Sequence, residues 1–568
     1  MTISSANSNE TEKIIFSAGA RPGDASLEVQ TGDALIIVGP NNSGKSLALR
    51  EIESWCFLQT TAHKIIAQIQ VMFPDDPETA LEMLKKYEAL PPHGQFPPPG
   101  HFYIGLPAFT SQGTIHFEVN PDHVRAAVRD KDELALRHFF TRCYTIRLDG
   151  KTRFSLSETK SAGDLMSHPQ NHLWALFVDD PARERVRKLT EEAFGLHFVI
   201  DPTQIGHLRI RMSSRAPATK SEEQALDGTA RSFHQAATPV SELSDGVQAF
   251  VGLTSAVLSV PHKIMLIDEP EAFLHPTLAR RLGMHLSHIS REREASLVVA
   301  THSAEFLRGC LEVSDATAVV RVTYENGVAT ARALPSTELV QMMRHPLLRS
   351  TGLVQALFHR AVVVAEGDTD RAFYDKLNRR LNVQDRGIRD ALFLNAQNKQ
   401  TIHTMVKPLR QIGIPAAAIV DLDIIKEGGT NWHNLLKACQ VDMALYPELE
   451  IERNYFNQQF ENLATTGFRE PIKCKGLAAL SSEDKTKGEL FLKKLSRYGL
   501  FIVPNGEQEA WLSHLDVYGH GPEWLVELFS RIGQLESDPT YLHPATNDVW
   551  RFLDDIAAWV HDSSRCGT

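Results

Sequence analysis

Five short apolar runs punctuate the chain: ALIIV ending at Val38, IMLI ending at Ile267, LVVA ending at Ala300, AVVVA ending at Ala365 and AAAIV ending at Val420. None shows the strict alternation of a strand with one wet face. Continuous apolar runs of this length, bounded by turn residues or acids, predict strands buried on both faces, as in a helix-covered parallel sheet. A glycine-rich turn and a helical stretch follow the first run, and a helical stretch also follows the fourth. The predicted class is therefore α/β.

Between these runs the pattern changes. KIIF and SLEV read as strands before Val38, and residues 101–210 mix strands (HFYIG, GTIHFEV, YTIRL) with helices such as PARERVRKLTEEAFG. PPHGQFPPPG, within residues 75–100, predicts a proline-rich loop or linker. Residues 213–240, rich in Ser, Ala, Thr and charge, predict a mobile loop, and residues 336–358 a helical connector. GLFIVPNGE predicts one more strand, and the last fifty or so residues predict helices. At 568 residues the chain exceeds one compact core. Two domains are expected: 1–350, with an insertion at about 51–240, and 351–568. The second carries a helical, partly basic insertion at about 426–498 and a helical C-terminus over 515–568. No internal repeat and no long heptad run is found, which argues against a coiled-coil arm.

Composition narrows the classes. Hydrophobic residues make up 42% and charged residues 23%, ordinary for a soluble globular protein. A net charge of -11 excludes a uniformly basic nucleic-acid coat, so any nucleic-acid site needs a local basic patch or metal ions. The six cysteines form no CxxC pair, so no zinc site or disulfide framework is indicated. No apolar signal core and no bilayer-length run is present, so no membrane contact and a cytoplasmic location are expected.

Gly39-Pro-Asn41-Asn42-Ser43-Gly44-Lys45-Ser46 matches GxxxxGK[ST] between a strand and a helix. Its backbone N–H groups would wrap the phosphates of ATP, Lys45 would reach the outer phosphates, and Ser46 would hold Mg²⁺. Asp268, at the end of IMLI, is placed to hold the same Mg²⁺, and Glu269 to orient or deprotonate the attacking water. LSDGVQ precedes them, with Ser244, Gly246 and Gln248; ATHS follows, with His302. In this order the motifs resemble the ABC-type ATPase superfamily. LSDGVQ is similar to its signature, departing at Asp245 and Val247; EAFLHP is similar to its D-loop, and His302 to its switch histidine. The resemblance implies a dimer of heads that sandwiches ATP, the signature serine of one facing the P-loop of the other. The superfamily's glutamine loop has no counterpart that the sequence of 50–240 locates.

The second cluster is acidic. AVVVA runs into Glu366-Gly367 and then Asp368 and Asp370; AAAIV runs into Asp421-Leu422-Asp423. If the strand continues through Asp421 and Asp423, period-2 alternation puts both on one face. Strands of one parallel sheet end at the same edge, so Glu366, Asp370, Asp421 and Asp423 could together hold one or two Mg²⁺ or Mn²⁺ ions for phosphodiester cleavage. This arrangement resembles the TOPRIM domain, and an ABC-type head followed by LRSTGLVQALFHRAVVVAEGDTD resembles the OLD (overcoming lysogenization defect) family. Related heads and TOPRIMs occur in Gabija-, retron- and PARIS-type phage defence. The resemblance implies a further metal-ligating acid, for which Glu509 in GEQE is favoured over Glu507, and in many members a late lysine. No lysine follows Lys494, so Lys473, Lys475, Lys485 or Lys487 would have to supply the cation. With Arg469, Lys493, Lys494 and Arg497 these form a basic cluster that either guides nucleic acid or is a solvated helical face.

The expected function is an ATP-regulated, metal-dependent endonuclease acting on DNA or RNA. Glu269, His302, Glu366, Asp421 and Asp423 are its catalytic residues, and at least a dimer is expected, with a co-encoded defence protein or phage component as further partner. The alternative is an ATPase sensor or scaffold that gates a partner effector while its TOPRIM cuts weakly or not at all.

Overall fold

The computed structural model describes residues 13–567 apart from 22, 61, 90, 92–95, 107–114, 151, 166–168, 326, 346, 347, 349–351 and 464–469. Part of the proline-rich stretch and Arg469 therefore lie outside the described residues. The chain divides near residue 340 into two compact units.

A six-stranded sheet organises the first unit, in the order Val328–Leu334, Thr317–Glu325, Ala34–Val38, Ser296–Ala300, Ile264–Asp268, Thr145–Leu148. All neighbours are parallel except the outermost pair, Thr317–Glu325 with Val328–Leu334. The apolar runs are buried throughout, because helices cover both faces. Register places Ala300 beside Asp268 and beside Ile37, so the residues that follow these strands emerge at one edge. Two sequence expectations change here. Thr145–Leu148, expected inside a continuous 51–240 insertion, is the outermost of the five parallel strands and carries Arg147 and Asp149 to that edge. Residues 213–240 are not a loop. They include helices Lys220–Gln224 and Gly228–Ala236, whose first turns are capped by the Thr219 and Asp227 side chains. Glu223, in the first of these, is buried and takes Arg183 at 3.1 Å and Arg187 at 2.6 Å. A polar composition concealed a buried ion-paired element.

The second unit is built on a four-stranded parallel sheet, in the order Ala391–Asn395, Ala361–Ala365, Ala416–Val420, Leu500–Ile502. Helix Asp368–Val383 leaves the Ala361–Ala365 strand through the Glu366-Gly367 turn. The C-terminal helices Gly521–Arg531 and Asp548–His561 pack Trp524 and Trp550 with Phe373 and Tyr374 into one core. The described residues between Val420 and Leu500 form the helices Gly429–Ala438, Tyr446–Leu463, Pro471–Cys474 and Ser482–Ser496, with short 3₁₀ turns at Leu422–Lys426, Met443–Leu445 and Gly476–Ala479.

Candidate functional site

In the first unit the strand Ala34–Val38 ends at Gly39 (φ 149°), and the following turn has left-handed backbone at Asn42 (φ 59°) and Gly44 (φ 90°). Gly44 is required twice over. Its φ suits glycine, and a Cβ there would come within 2.8 Å of Ile65 Cδ1. Helix Lys45–Cys56 begins at once, so its free N–H groups open onto the turn. Ser43 and Lys45 are buried while Asn41 and Asn42 are exposed. Burial lowers the Lys45 ammonium to about pKa 8, although Glu269, Asp268 and Glu271 pull the other way. The Ser46 hydroxyl donates to Asp268 Oδ1 at 3.0 Å, which brings the two Mg²⁺-type oxygen donors together from residues 222 apart in sequence.

The Asp268-Glu269 turn is clamped. Glu269 has φ 48° and Phe273 φ 69°, conformations that cost a non-glycine residue about 1–3 kcal/mol and need support. Buried Arg153 provides it by donating to the carbonyls of Asp268, Glu269 and Ala272. Glu269 Oε1 then lies 3.7 Å from His302 Nε2. Glu271 Oε1 accepts from Thr301 Oγ1 and His302 N, each at 2.8 Å. Its Oε2 is buried without a hydrogen-bond partner among the described residues, and burial raises its pKa. Sequence reasoning missed Arg153, Glu271 and Arg147, which bridges Glu53 at 2.8 Å and Asp268 at 3.9 Å. Glu271 had a legible signal, an acid in a conspicuous DEPE stretch. The two arginines had none. Ser244 is exposed and begins helix Asp245–Ser259, Gln248 Nε2 donates to Leu243 O at 2.9 Å, and a Cβ on Gly246 would meet Phe273 O at 2.8 Å. The signature-like turn and the D-loop-like turn are thus in backbone contact.

In the second unit Glu366 and Asp421 stand at the ends of adjacent parallel strands, and Glu366 Oε1 accepts from Asp421 N at 2.9 Å. Asp370 Oδ2 accepts from Gly367 N at 2.9 Å, folding its carboxylate back over the turn. Burial raises Glu366 to about pKa 7, and Asp423 and Asp370 push the same way. Burial also raises Asp421 well above the carboxylate range, with repulsion from Glu366, Asp370, Glu507 and Asp423 added. Asp370 is raised by burial and by Glu509 and Glu507. Three half-buried carboxylates that each disfavour the others' charge form a hard-oxygen donor set that suits Mg²⁺ or Mn²⁺.

One expectation about this site is overturned. The strand does not continue through Asp421 and Asp423. It ends at Val420, and Asp421 caps a 3₁₀ turn over Leu422–Lys426. Both acids still face Glu366, but the turn brings them there. Asp423 is held by two lysines: Lys399 Nζ lies 3.0 Å from Oδ1 and Lys473 Nζ 3.5 Å from Oδ2. Lys473 also reaches Glu507 Oε1 at 2.8 Å. Glu509 Oε1 accepts from Gly521 N at 2.9 Å and lies 2.7 Å from His520 Nδ1. Ligand atoms of Glu507, Glu509 and His520 lie within 4.8 Å of one another, so no preference for Glu509 over Glu507 follows from their placement. Lys399, whose turn carries no motif, was not foreseen. Lys485 and Lys487 pair instead with Glu489 and Glu483 on their own helix, and Lys494 with Glu448 and Glu452.

Comparison with known proteins follows the same division. Residues 169–308 match a family model described as AAA domain, putative AbiEii toxin, Type IV TA system. Residues 357–423 match one described as Overcoming lysogenization defect protein-like, TOPRIM domain. The lipoprotein-releasing system ATP-binding protein LolD 2 of Chlorobaculum tepidum is 37% identical over 78 residues, 13% of this chain and 31% of its own. The methionine import ATP-binding protein MetN of Coxiella burnetii is 29% identical over 112 residues, 19% of this chain and 31% of its own. The chain thus spans less than a third of the length of these curated relatives. Among solved structures, the SMC head domain from Thermotoga maritima aligns with TM-score 0.29 and 16% identity, over 57% of this chain and 99% of that one. The SmcHead bound to the C-winged helix domain of ScpA aligns with TM-score 0.32 and 13% identity, over 58% and 100%. CbiO1 from Clostridium perfringens, part of an ABC transporter complex, gives 0.26 and 12%, over 58% and 91%. Along the chain the ATPase-domain match thus precedes the OLD-like TOPRIM match, the order of an ATPase–TOPRIM fusion.

Proposed function

We propose that the protein is an ATP-regulated, divalent-metal-dependent endonuclease of the OLD type that cleaves DNA or RNA in bacterial antiphage defence. The observation that carries the nuclease part is the convergence of Glu366, Asp370 and Asp421 at the carboxyl edge of one parallel sheet, with Asp423 and Lys473 beside them. A metal held by the first three would supply a water-derived nucleophile at neutral pH and charge neutralisation at the phosphate. Glu366 and Asp421 hold their charge poorly when alone, so they bind a cation in exchange for protons. The helix that starts at Asp368 keeps Asp370 turned toward them through its bond to Gly367 N.

In the ATPase unit, Lys45 and the turn's N–H groups would hold the ATP phosphates, and Ser46 with Asp268 its Mg²⁺. Glu269 Oε1 accepts the proton of the attacking water, and His302 Nε2 faces it from the next strand. Ser244, exposed at a helix start, is free to meet the phosphates bound by a second copy, which makes the working unit at least a dimer. Among the described residues no helix is long and apolar enough to cross a membrane, in keeping with a cytoplasmic enzyme. Its trigger would be a phage component or a co-encoded partner.

The test is cleavage of supercoiled DNA and of tRNA by purified protein, with Mg²⁺ or Mn²⁺ and with or without ATP. Nicked, linear or shortened product that vanishes in Glu366→Ala is expected. If neither substrate is cut while ATP is turned over, the sensor–scaffold function takes the nuclease's place.

A further inference from the structure

Two acids share the turn after strand Ile264–Asp268, and their surroundings differ. The Glu269 side chain is 50% exposed, open to a water and a phosphate. Glu271, two residues on, is engaged within its own unit. Its Oε1 accepts from Thr301 Oγ1 and His302 N, each at 2.8 Å, and its Oε2 is buried. Resting on the ATPase function proposed above, we propose that Glu271 is the positioning residue of the hydrolytic pair: it latches the turn that carries Glu269 to the turn that carries His302, and so sets the distance between them.

The parts on either side of this latch are already fixed. Glu269 N donates to Ala300 O at 2.8 Å and Thr301 N to Ile37 O at 3.2 Å, so the neighbouring strand ends are tied together as far as Thr301. Arg153 holds the carbonyls of Asp268, Glu269 and Ala272 and so frames the backbone of Glu271 from both sides. Thr301 is fully buried. Its Oγ1 donates to Glu271 and accepts from Ser303 N at 3.0 Å, and Ser303 Oγ accepts from Phe306 N at 3.1 Å, capping helix Ala304–Val313. That helix meets Pro276–Glu292, which follows the Glu271 turn, at backbone contact. A Cβ on Gly309 would come within 2.0 Å of Arg280 O, and one on Gly283 within 2.4 Å of Phe306 O. Between these braced elements, the Glu271 carboxylate is the acceptor for the backbone N–H of His302. Without it, Thr301 Oγ1 and His302 N lose their acceptor, and the His302 backbone turns to find another.

Glu271 gives and takes no proton. In hydrolysis the water oxygen bonds to the γ-phosphorus and its proton passes to Glu269. The electrons of the broken bond leave with the terminal oxygen of ADP. Glu271 acts only by keeping His302 Nε2 at 3.7 Å from Glu269 Oε1. A misplacement of about 1 Å between reacting groups lowers a rate by about 10²-fold.

Full-length Glu271→Ala, Glu271→Gln, Thr301→Val, His302→Ala, Glu269→Gln and the double variant Glu271→Ala/His302→Ala are compared with the parent. Steady-state ATP turnover and equilibrium binding of a fluorescent ATP analogue are measured. Glu271→Ala should lose about 10²-fold in kcat, with KM and nucleotide affinity nearly unchanged. Glu271→Gln, whose amide oxygen accepts the same two bonds, should stay within about threefold of the parent. Thr301→Val, which removes the hydroxyl and keeps the shape, should fall between these two. The double variant should be no slower than His302→Ala, because both substitutions act through one distance. If Glu271→Ala does not fold, Glu271→Gln and Thr301→Val decide the matter. Turnover in Glu271→Gln as slow as in Glu269→Gln would make Glu271 a proton acceptor and overturn the proposal. Full turnover in Thr301→Val or in His302→Ala, or losses that multiply in the double variant, would separate Glu271 from His302 and overturn it too. Each of these leaves the ATPase function standing; a parent that turns over no ATP overturns both.

Discussion

Glu366 shows most directly what a residue's surroundings do to its chemistry. Burial, then the nearby Asp423 and Asp370, raise its pKa to about 7 from a usual value of 4.5. Between those two pH values the folded chain keeps a proton that the unfolded chain has lost, so stability falls as pH rises through the window. Without divalent metal the second unit should lose on the order of 2–3 kcal/mol between pH 4.5 and 7 from this residue. Added Mn²⁺ should restore the loss at pH 7.5 and do little at pH 5, and Glu366→Gln should flatten the profile. Thermal unfolding across pH, with EDTA and with Mn²⁺, measures it. A profile that rises from pH 5 to 7 in both parent and variant would remove burial as the dominant influence on Glu366.

At the scale of elements, the machinery is held by side chains that bridge segments far apart in sequence. Glu51, on the helix that starts at Lys45, is 2% exposed. It accepts from the backbone N–H groups of Lys64, Ile65 and Ile66 at 2.8, 3.0 and 2.8 Å. It thereby pins the P-loop helix to the strand Ile66–Gln70, and Ile65 in turn fills the space against Gly44. Glu51→Ala leaves these donors unmet and should cost about 2–4 kcal/mol. Urea unfolding of the full chain, followed by a probe in the first unit, should show the lower midpoint. ATP binding should weaken with it. Arg410 has the same office in the second unit. Only 1% exposed, it donates to the carbonyls of Ala416, Cys439, Tyr498 and Gly567 and so ties sheet, insertion and C-terminus.

For the whole molecule, the two proposed sites share no residue. Asp421→Ala should eliminate cleavage and leave ATP turnover near normal, since sites without common partners lose function independently. Glu269→Gln should bind ATP yet turn it over at least about 10²-fold more slowly, the contribution of a general base. With ATP bound and unspent it should also accumulate as a dimer, measured by light scattering. Unchanged turnover in Glu269→Gln would remove it from the base role. Cleavage that persists in Asp421→Ala would move the nuclease site elsewhere.

Buried parallel strands, the strand–glycine-turn–helix that carries Lys45, and the strand ends bearing Asp268, Glu366 and Asp421 were all legible in the sequence. Each is a local pattern: an apolar run too continuous to face water, closed by residues that a phosphate or a metal requires. What the sequence could not disclose depends on pairs of residues distant along the chain. That Thr145–Leu148 joins the main sheet follows from its pairing with Ile264–Ile267, and nothing in YTIRL distinguishes it from a strand of an insertion. The buried ion pairs of Glu223 order a segment whose composition reads as loop. Asp423 reaches the site through a 3₁₀ turn, where strand alternation no longer applies. Lys399 became a site residue only on folding, and Lys473, one of four lysines the sequence offered, was singled out only there. A lysine carries no mark of its partner in sequence, and close backbone approach at Gly476 and Gly506 is what sets Lys473 among the acids.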